Sequence, residues 1–154
     1  MPRAAKTPAT GGQIHDLLRE VFALRHTLAQ VMDQVHERAG MRTPQIKAAD
    51  RLDRLGPATL PELAAQLDVS RQFARAVCNE MRDAGLLEFT DNPRHKRSRL
   101  AALTSAGRTA LADARAKEAA IIQDVLPDLD AASVTAAQNL LQRIRHRLPG
   151  FAGS

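Results

Sequence analysis

The feature that most constrains this sequence is an apolar stripe near its amino terminus. From Ile14 to Val35, apolar residues recur at alternating spacings of three and four, which indicates one face of an α-helix. A strict three-four alternation is typical of a helix that packs lengthwise against another helix. The stripe therefore predicts a long helix over residues 13–40, ended by Gly40 as a left-handed cap. Its partner is either a helix of the same chain or a second copy.

Two more helices are expected over residues 105–148. Apolar residues fit one helix up to position 126 and another from position 134, and Asp130 can cap the second. Residues 1–12 lack apolar periodicity and are expected to form a mobile tail, and residues 149–154 a second tail. We predict that the flanking helices join two copies of the chain. The residues predicted for this interface are Ile14, Leu17, Val21, Val134, Leu141 and Ile144.

The middle of the chain, residues 41–104, predicts a helix-turn-helix followed by a hairpin. Thr43 can cap a first helix, and Thr59 begins a capping box that opens a short second helix. After a connection of three residues, Ser70 can cap a third helix that ends before Gly85. A short helix, a tight turn and a capped helix together make a helix-turn-helix.

The third of these helices divides its faces as a DNA-recognition helix requires. On a helical wheel, Ala74, Val77, Cys78 and Met81 share the inward face, and polar side chains occupy the other face. Arginine pairs well with guanine, glutamine and asparagine pair with adenine, and a small alanine admits a thymine methyl group. The residues of this helix predicted to contact DNA are Ser70, Arg71, Gln72, Arg75, Ala76 and Asn79.

A basic hairpin follows. Residues 86–90 and 99–103 have strand character, and the segment between them is rich in cations. Residues 70–99 contain seven Lys or Arg against four Asp or Glu, so this segment holds +3 of the net charge of +5. Such a wing suits phosphates or a narrow minor groove. The wing residues predicted to contact DNA are Arg94, Lys96, Arg97 and Arg99.

This part of the chain resembles the multiple-antibiotic-resistance regulator (MarR) family. The resemblance rests on the run Leu63-Ala-Ala-Gln-Leu-Asp-Val-Ser-Arg-Gln-Phe73, on Gly85-Leu-Leu-Glu88, and on Asn92 to Arg108, which ends in Leu-Thr-x-x-Gly-Arg. It implies a mostly α fold with a small β-wing, in which N- and C-terminal dimerisation helices flank a winged helix-turn-helix. It also implies a homodimeric transcription factor, usually a repressor, that binds a pseudo-palindromic operator in double-stranded DNA.

One wing position departs from the family pattern. Many members carry an Asp followed by two Arg at the wing tip, and the acid holds an arginine in place. The matching positions here are His95, Lys96 and Arg97. The usual ion pair within the wing therefore cannot form, which leaves the family role of Arg97 open in this chain.

The resemblance implies that such regulators are commonly released from DNA by a small aromatic or phenolic ligand, or by oxidation. The single cysteine, Cys78, lies on an inward face and is expected to be a buried structural thiol. Peroxide-sensing members use a cysteine in the first helix, which this chain lacks. A planar effector would stack on one of four phenylalanines, of which Phe22 is nearest the expected cavity, and the effector site stays unknown.

Other classes of function find little support. No Gly-rich phosphate loop or Gly-x-Ser-x-Gly elbow is present, so we expect neither enzymatic activity nor a cofactor. The five histidines lack metal-ligand spacing within one chain, and His36 is expected to face solvent rather than line a cavity. With 44% apolar residues, no signal-peptide core and no run of about 18 apolar residues, a folded cytoplasmic protein without a membrane partner is expected.

Two hypotheses about function remain open. The first is a homodimeric, sequence-specific regulator of transcription. The second is a winged-helix module for protein interaction, with weak or no DNA binding. Retention on random duplex DNA that falls steeply with salt distinguishes the first from the second.

Overall fold

The computed structural model describes residues 7–151. The chain divides into two units, Met1–Glu118 and Ala119–Ser154. The mostly α fold with a small β-wing, predicted from the sequence, is confirmed. The elements in chain order are α1 (Gly11–Ala39), α2 (Thr43–Leu55), β1 (Ala58–Thr59), α3 (Leu60–Leu67), α4 (Arg71–Asp83), β2 (Leu87–Asp91), β3 (Arg99–Leu103), α5 (Ser105–Val125), α6 (Ala131–Arg147) and a 3-10 helix (Leu148–Phe151).

The first helix starts earlier than the sequence pattern indicated. The Thr10 hydroxyl accepts a hydrogen bond from the Gln13 N–H at 3.2 Å, and the Gln13 side chain accepts one from the Thr10 N–H at 2.9 Å. This capping box places Gly11 and Gly12 inside α1, so the predicted tail over residues 1–12 is wrong there. Residues 1–6 lie outside the described residues. At the other end of α1, Gly40 has a φ of 95° and is the left-handed cap that was predicted.

The predicted tail over residues 149–154 also needs correction. Residues 149–151 continue from α6 in the 3-10 helix, and residues 152–154 lie outside the described part of the chain. The break between the last two helices is as predicted. Asp130 caps α6, and its carboxylate accepts a hydrogen bond from the Ser133 N–H at 2.9 Å. Hydrogen bonding from the Ser133 side chain, and then from its N–H, lowers the pKa of Asp130.

The cap of α2 differs from the prediction by one residue. Arg42 is the N-cap, and the Gln45 side chain accepts a hydrogen bond from the Arg42 N–H at 3.1 Å. Thr43 is the first helical residue instead of the cap. Its hydroxyl donates a hydrogen bond to the Asp33 carboxylate of α1.

The helix-turn-helix is confirmed with its predicted caps. Thr59 and Glu62 form the capping box of α3, and Ser70 accepts a hydrogen bond from the Phe73 N–H at 3.1 Å at the start of α4. The turn between the two helices passes through Asp68, whose φ of 54° lies in the left-handed region. Aspartate tolerates that region better than most residues, which is why the connection needs only three residues.

The wing is a β-hairpin on a three-stranded antiparallel sheet of order β1-β3-β2. In the hairpin, Leu87 pairs with Leu103 and Asp91 with Arg99, so β2 lies one residue later than predicted. The additional strand β1 pairs Ala58 with Ala101 on the other edge of β3. It has only two residues, too few to show an alternating pattern in the sequence.

The core of the first unit lies between α2, α3, α4, the sheet and the first half of α5. Its largest fully buried side chains are Leu63, Met81, Leu87 and Leu111. The inward face predicted for α4 is confirmed, since all four of its members are buried. This packing fixes α4 so that its opposite face is presented to solvent.

The Leu-Thr-x-x-Gly-Arg motif has a packing role where α5 starts. The Thr104 hydroxyl donates to the Gly85 carbonyl at 2.7 Å, and the Arg108 guanidinium donates to the Leu103 carbonyl at 3.0 Å. A Cβ atom on Gly107 would lie 1.9 Å from the Leu86 carbonyl oxygen. Only glycine permits this approach, which locks α5 against the base of the wing.

Candidate nucleic-acid interface

The outer face of α4 carries the side chains predicted to contact DNA. Arg71, Gln72, Arg75 and Ala76 are exposed, and Asn79 is half-buried. Exposed Ser70 precedes them, and its hydroxyl oxygen is already the N-cap acceptor. A helix that is buried on one side and polar on the other can enter a major groove with its base-reading side chains unobstructed.

The structure brings α4 and the wing together around one groove. Arg75 of α4 and Arg97 and Arg99 of the wing line this groove, which has a volume of about 340 Å³. The other lining residues are Thr59, Leu60, Pro61, Phe89 and Ser98. Guanidinium groups from two separate elements therefore converge on one surface. Arg94 and Lys96 are exposed at the wing tip and do not line the groove.

Hydrogen bonds among neutral groups hold the wing tip. The Asn92 amide donates to the Ser98 hydroxyl at 2.9 Å, and its carbonyl oxygen accepts from the Arg94 N–H at 3.0 Å. The His95 carbonyl accepts from the Ser98 N–H at 3.1 Å and from the Ser98 hydroxyl at 3.3 Å. This Asn92–Ser98 clamp closes the loop without a carboxylate at position 95. These hydrogen bonds take the place of the ion pair that the resemblance implies at the wing tip.

Arg99 has a structural contact that the sequence did not reveal. Its guanidinium donates a hydrogen bond to the Phe89 carbonyl of the neighbouring strand β2. The side chain remains exposed and lines the groove, so it can meet a ligand with its other N–H groups. Arg99 therefore braces the hairpin in addition to contributing charge.

The cations of this surface keep their charge available. Among residues 7–151, no carboxylate lies within ion-pair distance of Arg71, Arg75, Arg94, Lys96 or Arg97. The two acids of α4 are occupied: Glu80 pairs with Arg42, and Asp83 pairs with Arg82 at 2.9 Å. A surface with unneutralised cations attracts a polyanion.

The Glu62 carboxylate of α3 lies near Arg94 of the wing. Hydrogen bonds from the Thr59 N–H and hydroxyl, and then the nearby Arg94 and Arg51 charges, lower the pKa of Glu62. Glu62 is therefore ionised at neutral pH. Its first role is to cap α3, because both Thr59 bonds, at 2.8 and 2.9 Å, go to the same carboxylate oxygen.

Cys78 is buried, as predicted. Burial raises the pKa of its thiol to about 11, so at neutral pH it is a protonated and unreactive group. It packs with Met81 and Leu63 in the core.

The prediction for His36 is wrong. The residue is only 7% exposed, and its ring contacts Thr43 of α2 and Glu118 of α5. A signal existed in the sequence: His36 lies four residues after Met32, which widens the apolar stripe of α1, so both share one helix face. A helical pattern does not show which elements cover that face.

The residues predicted for dimerisation lie at the surface of the chain. In α1, Ile14 is exposed, and Leu17 and Val21 are half-buried. In α6, Val134 and Leu141 are exposed, and Ile144 is half-buried. These positions therefore keep apolar surface that a partner can cover.

Within residues 7–151, His, Cys, Asp and Glu side chains nowhere gather in threes as a metal ion would need. None of the helices described is both long enough and apolar enough to cross a bilayer.

Comparison with known sequences places the middle of the chain in one family. A sequence profile of the MarR family matches residues 39–98, which run from the end of α1 to the wing tip. An uncharacterized protein of Mycobacterium tuberculosis is 36% identical over 87 residues, or 56% of this chain. That match spans 60% of the length of the mycobacterial protein.

Comparison with solved structures supports the same fold over most of the chain. A MarR family protein from Bacillus stearothermophilus has a TM-score of 0.73 at 14% identity, covering 92% of this chain and 99% of that one. A transcriptional regulator of the MarR family from Rhodococcus sp. RHA1 has a TM-score of 0.62 at 20% identity, covering 90% and 96%. The profile match thus makes residues 39–98 similar to the MarR family, and the chain shares its winged-helix fold with solved structures of MarR family proteins.

Proposed function

We propose that this chain is a homodimeric transcriptional regulator that binds double-stranded DNA at a pseudo-palindromic operator and acts as a repressor. The observation that carries the proposal is the groove where Arg75 of α4 meets Arg97 of the wing. One element of this surface is shaped to read bases and the other to grip the phosphate backbone. The similar Rhodococcus protein is named a transcriptional regulator, which supports the same role here.

The two elements have different tasks in this proposal. Gln72, Arg75 and Asn79 read base edges, because amide and guanidinium groups can form bidentate hydrogen bonds with adenine and guanine. Arg71 at the start of α4 and the wing cations bind phosphates, which supply affinity more than sequence choice. Ala76 lets the helix approach a thymine methyl group.

A homodimer follows from the exposed apolar residues of α1 and of α6. Two-fold symmetry then places two copies of α4 in successive major grooves, about 10 base pairs apart. The operator is expected to be a palindrome with that spacing. The proposal includes release of the dimer from DNA by a small-molecule effector, whose identity stays open.

The test begins with selection of bound sequences from random duplex DNA, followed by titration of the selected site. Arg75→Ala should cost about 1–3 kcal/mol and relax preference at one position of each half-site. Lys96→Ala should weaken all sequences alike and lower the salt slope by about 1. Lys117→Ala, which removes an exposed cation from α5, is the matched control and should change neither quantity.

Two results would count against the proposal. If Arg75→Ala and Lys96→Ala leave affinity and salt slope unchanged, the assigned residues are wrong. If the folded dimer shows no salt-dependent retention on DNA at all, the interaction-module hypothesis is the better description.

A further inference from the structure

An apolar pocket lies between α2, α3 and α4 within the first unit, and we name it the α2–α4 pocket. Its volume is about 190 Å³. The buried residues Ala48, Leu63, Ala74 and Val77 line it, together with Phe73, which is 46% exposed. A cavity of roughly 150 Å³ with apolar walls can hold a benzene molecule, so this pocket has room for an apolar group of at least that size.

The charge at the α2–α4 pocket is positive. Among the described residues that line it, Lys47 is the single charged one. Lys47 is exposed, and within residues 7–151 no carboxylate lies within ion-pair distance of its ammonium group. A charged ligand of this pocket is therefore expected to be an anion with an apolar body.

A second cavity, the α2–α3 groove, adjoins the first. Its volume is about 310 Å³, and Lys47 and Leu67 line both cavities. Lys47, Arg51 and Arg54 follow one another along one side of α2 here. Asp50 also lines the groove, but its carboxylate is paired with Arg54 at 3.2 Å. The groove thus offers the charges of Lys47 and Arg51 to an anion.

Arg51 provides a separate observation that points to a missing acceptor. Its Nε and Nη1 atoms are buried and have no hydrogen-bond partner in the described chain. The Glu62 carboxylate carries charge nearby, but it accepts its recorded hydrogen bonds from Thr59. Buried N–H groups without a partner are unfavourable, and a carboxylate has two oxygens that can accept from a guanidinium. A carboxylate in the groove that Arg51 lines would relieve this deficit.

We propose that the two cavities together bind a flexible aliphatic carboxylate, and that this ligand is the effector that releases the dimer from DNA. Its apolar chain occupies the α2–α4 pocket, and its carboxylate lies in the α2–α3 groove against Lys47 and Arg51. A flexible chain suits this site better than a planar ring, because the site continues from one cavity into the other and Phe73 is its one described aromatic residue. The release step rests on the proposed function, whereas the binding step does not.

Phe73 connects the site to the surface that reads DNA. It lies in the first turn of α4, and its N–H donates to the Ser70 hydroxyl at 3.1 Å. Val69, in the turn before α4, also lines the pocket. A chain that enters between α2 and α4 packs against both apolar side chains and displaces the start of α4, which carries Arg71 and Gln72. Hydrogen bonds to bases tolerate little displacement, so DNA affinity falls.

Octanoate, a saturated carboxylate of medium chain length, is the probe for the binding step. Isothermal titration calorimetry of the full chain, at concentrations below those at which octanoate forms micelles, should show one site per chain. Octanol lacks the charge and should bind about tenfold more weakly, and octylammonium has the opposite charge and should not bind. Benzoate, which is planar, should also bind about tenfold more weakly. Benzoate binding as tight as that of octanoate would contradict an aliphatic ligand.

Charge reversal at Lys47 makes the test specific. Lys47→Glu should weaken octanoate about tenfold or more and should create affinity for octylammonium, which a merely structural role of Lys47 would not do. Lys117→Glu reverses an exposed cation of α5 and is the matched control, so it should change neither affinity. Arg51→Gln should weaken octanoate as well. Because Lys47 is exposed, Lys47→Glu keeps the test decisive even if the variant at the half-buried Arg51 does not fold.

Methyl NMR of the unmodified protein locates the bound chain. Octanoate should shift the methyl signals of Leu63 and Val77, which line the α2–α4 pocket. It should leave those of Leu24, an exposed residue of α1, unchanged. Shifts confined to α1, or equal affinity for octanoate and octanol, would overturn the site.

The release step is measured separately, with the selected operator. Octanoate should lower the operator affinity of the unmodified protein about tenfold and leave that of Lys47→Glu unchanged. Octanoate binding that leaves operator affinity unchanged would overturn the effector role. If octanoate binds but the chain does not bind DNA, the proposed function is wrong and the site stands. If the chain binds DNA but not octanoate, the site is wrong and the proposed function stands.

Discussion

The winged-helix domain and α1 place their apolar residues in opposite ways. In the domain, Leu63 and Met81 are 0% exposed. In α1, Phe22 is 66% exposed and Leu24 is 56% exposed, although their helix has an equally regular apolar pattern. The pattern of a helix therefore predicts that an apolar face exists, but not which molecule covers it. The domain closes its core within one chain, whereas α1 presents a face suited to a partner.

The largest effect that tests this contrast is expected at Gly107. In Gly107→Ala the new methyl group would collide with the Leu86 carbonyl, a backbone atom that cannot move without shifting the wing. We expect a loss of about 4 kcal/mol or more in the free energy of unfolding, measured by urea denaturation.

Gly11→Ala in α1 is the matched control for that substitution. A Cβ atom at Gly11 meets nothing within 4 Å, and alanine favours a helix over glycine by about 0.5–1 kcal/mol. The control should leave stability unchanged or raise it slightly. Equal effects at Gly107 and Gly11 would mean that α5 does not approach the wing as described.

The next effect compares two leucines. Leu63→Ala should cost about 3 kcal/mol because it leaves a cavity in the core, and the loss should not depend on protein concentration. Leu24→Ala removes an exposed side chain, so it should cost little within one chain. If a second copy of the chain covers α1, the stability lost in Leu24→Ala should instead change across a roughly tenfold range of protein concentration.

Thermal unfolding of both variants at several concentrations measures this difference. A concentration-dependent loss for Leu24→Ala alongside a constant loss for Leu63→Ala supports the homodimer. If the stability lost in Leu24→Ala stays small at every concentration, α1 does not pack against a second copy of the chain.

Much of the first unit was predictable because its signals are local. Caps at Thr59 and Ser70, the glycine after α1, and the inward face of α4 each depend on residues within one or two helical turns. The sequence also concentrated its positive charge at the elements that form the groove. These features follow from short-range rules of helix geometry and turn formation.

The features that the sequence missed depend on pairing between distant segments. Strand β1 exists only because Ala58 meets Ala101, and the burial of His36 depends on α2 and α5. The hydrogen bond from Arg99 to Phe89 likewise requires the register of the hairpin. A one-dimensional pattern shows that a residue is apolar or polar, but not which distant residue it will contact.

A third test compares thiol reactivity in the two regions. Cys78 should react with an aromatic disulfide reagent about a hundred-fold more slowly than an exposed cysteine, because burial blocks access and raises its pKa to about 11. Ala23→Cys, made in a chain with Cys78→Ala, places a thiol at an exposed position of α1. In urea, Cys78 and the cysteine at position 23 should react at equal rates. Rapid labelling of Cys78 in the folded protein would show that the core opens easily.

The smallest effect is expected at the wing tip, in Ser98→Ala. This variant breaks the Asn92–Ser98 clamp and also removes the hydrogen bond from the Ser98 hydroxyl to the His95 carbonyl, and each hydrogen bond contributes about 0.5–1 kcal/mol. The overall stability should hardly change, because the loop lies outside the core. DNA affinity should fall about two- to five-fold, since a looser loop must be ordered on binding.

The salt dependence of binding separates this effect from a loss of charge. Ser98→Ala keeps every cation, so affinity should fall by the same factor at each salt concentration and the salt slope should stay as it was. Lys96→Ala should instead reduce the slope, because it removes one cation. Ser105→Ala at the start of α5 controls for the loss of a surface hydroxyl. If Ser98→Ala changes the slope as Lys96→Ala does, the clamp acts by directing the wing cations to phosphates, and its contribution is electrostatic rather than one of loop order.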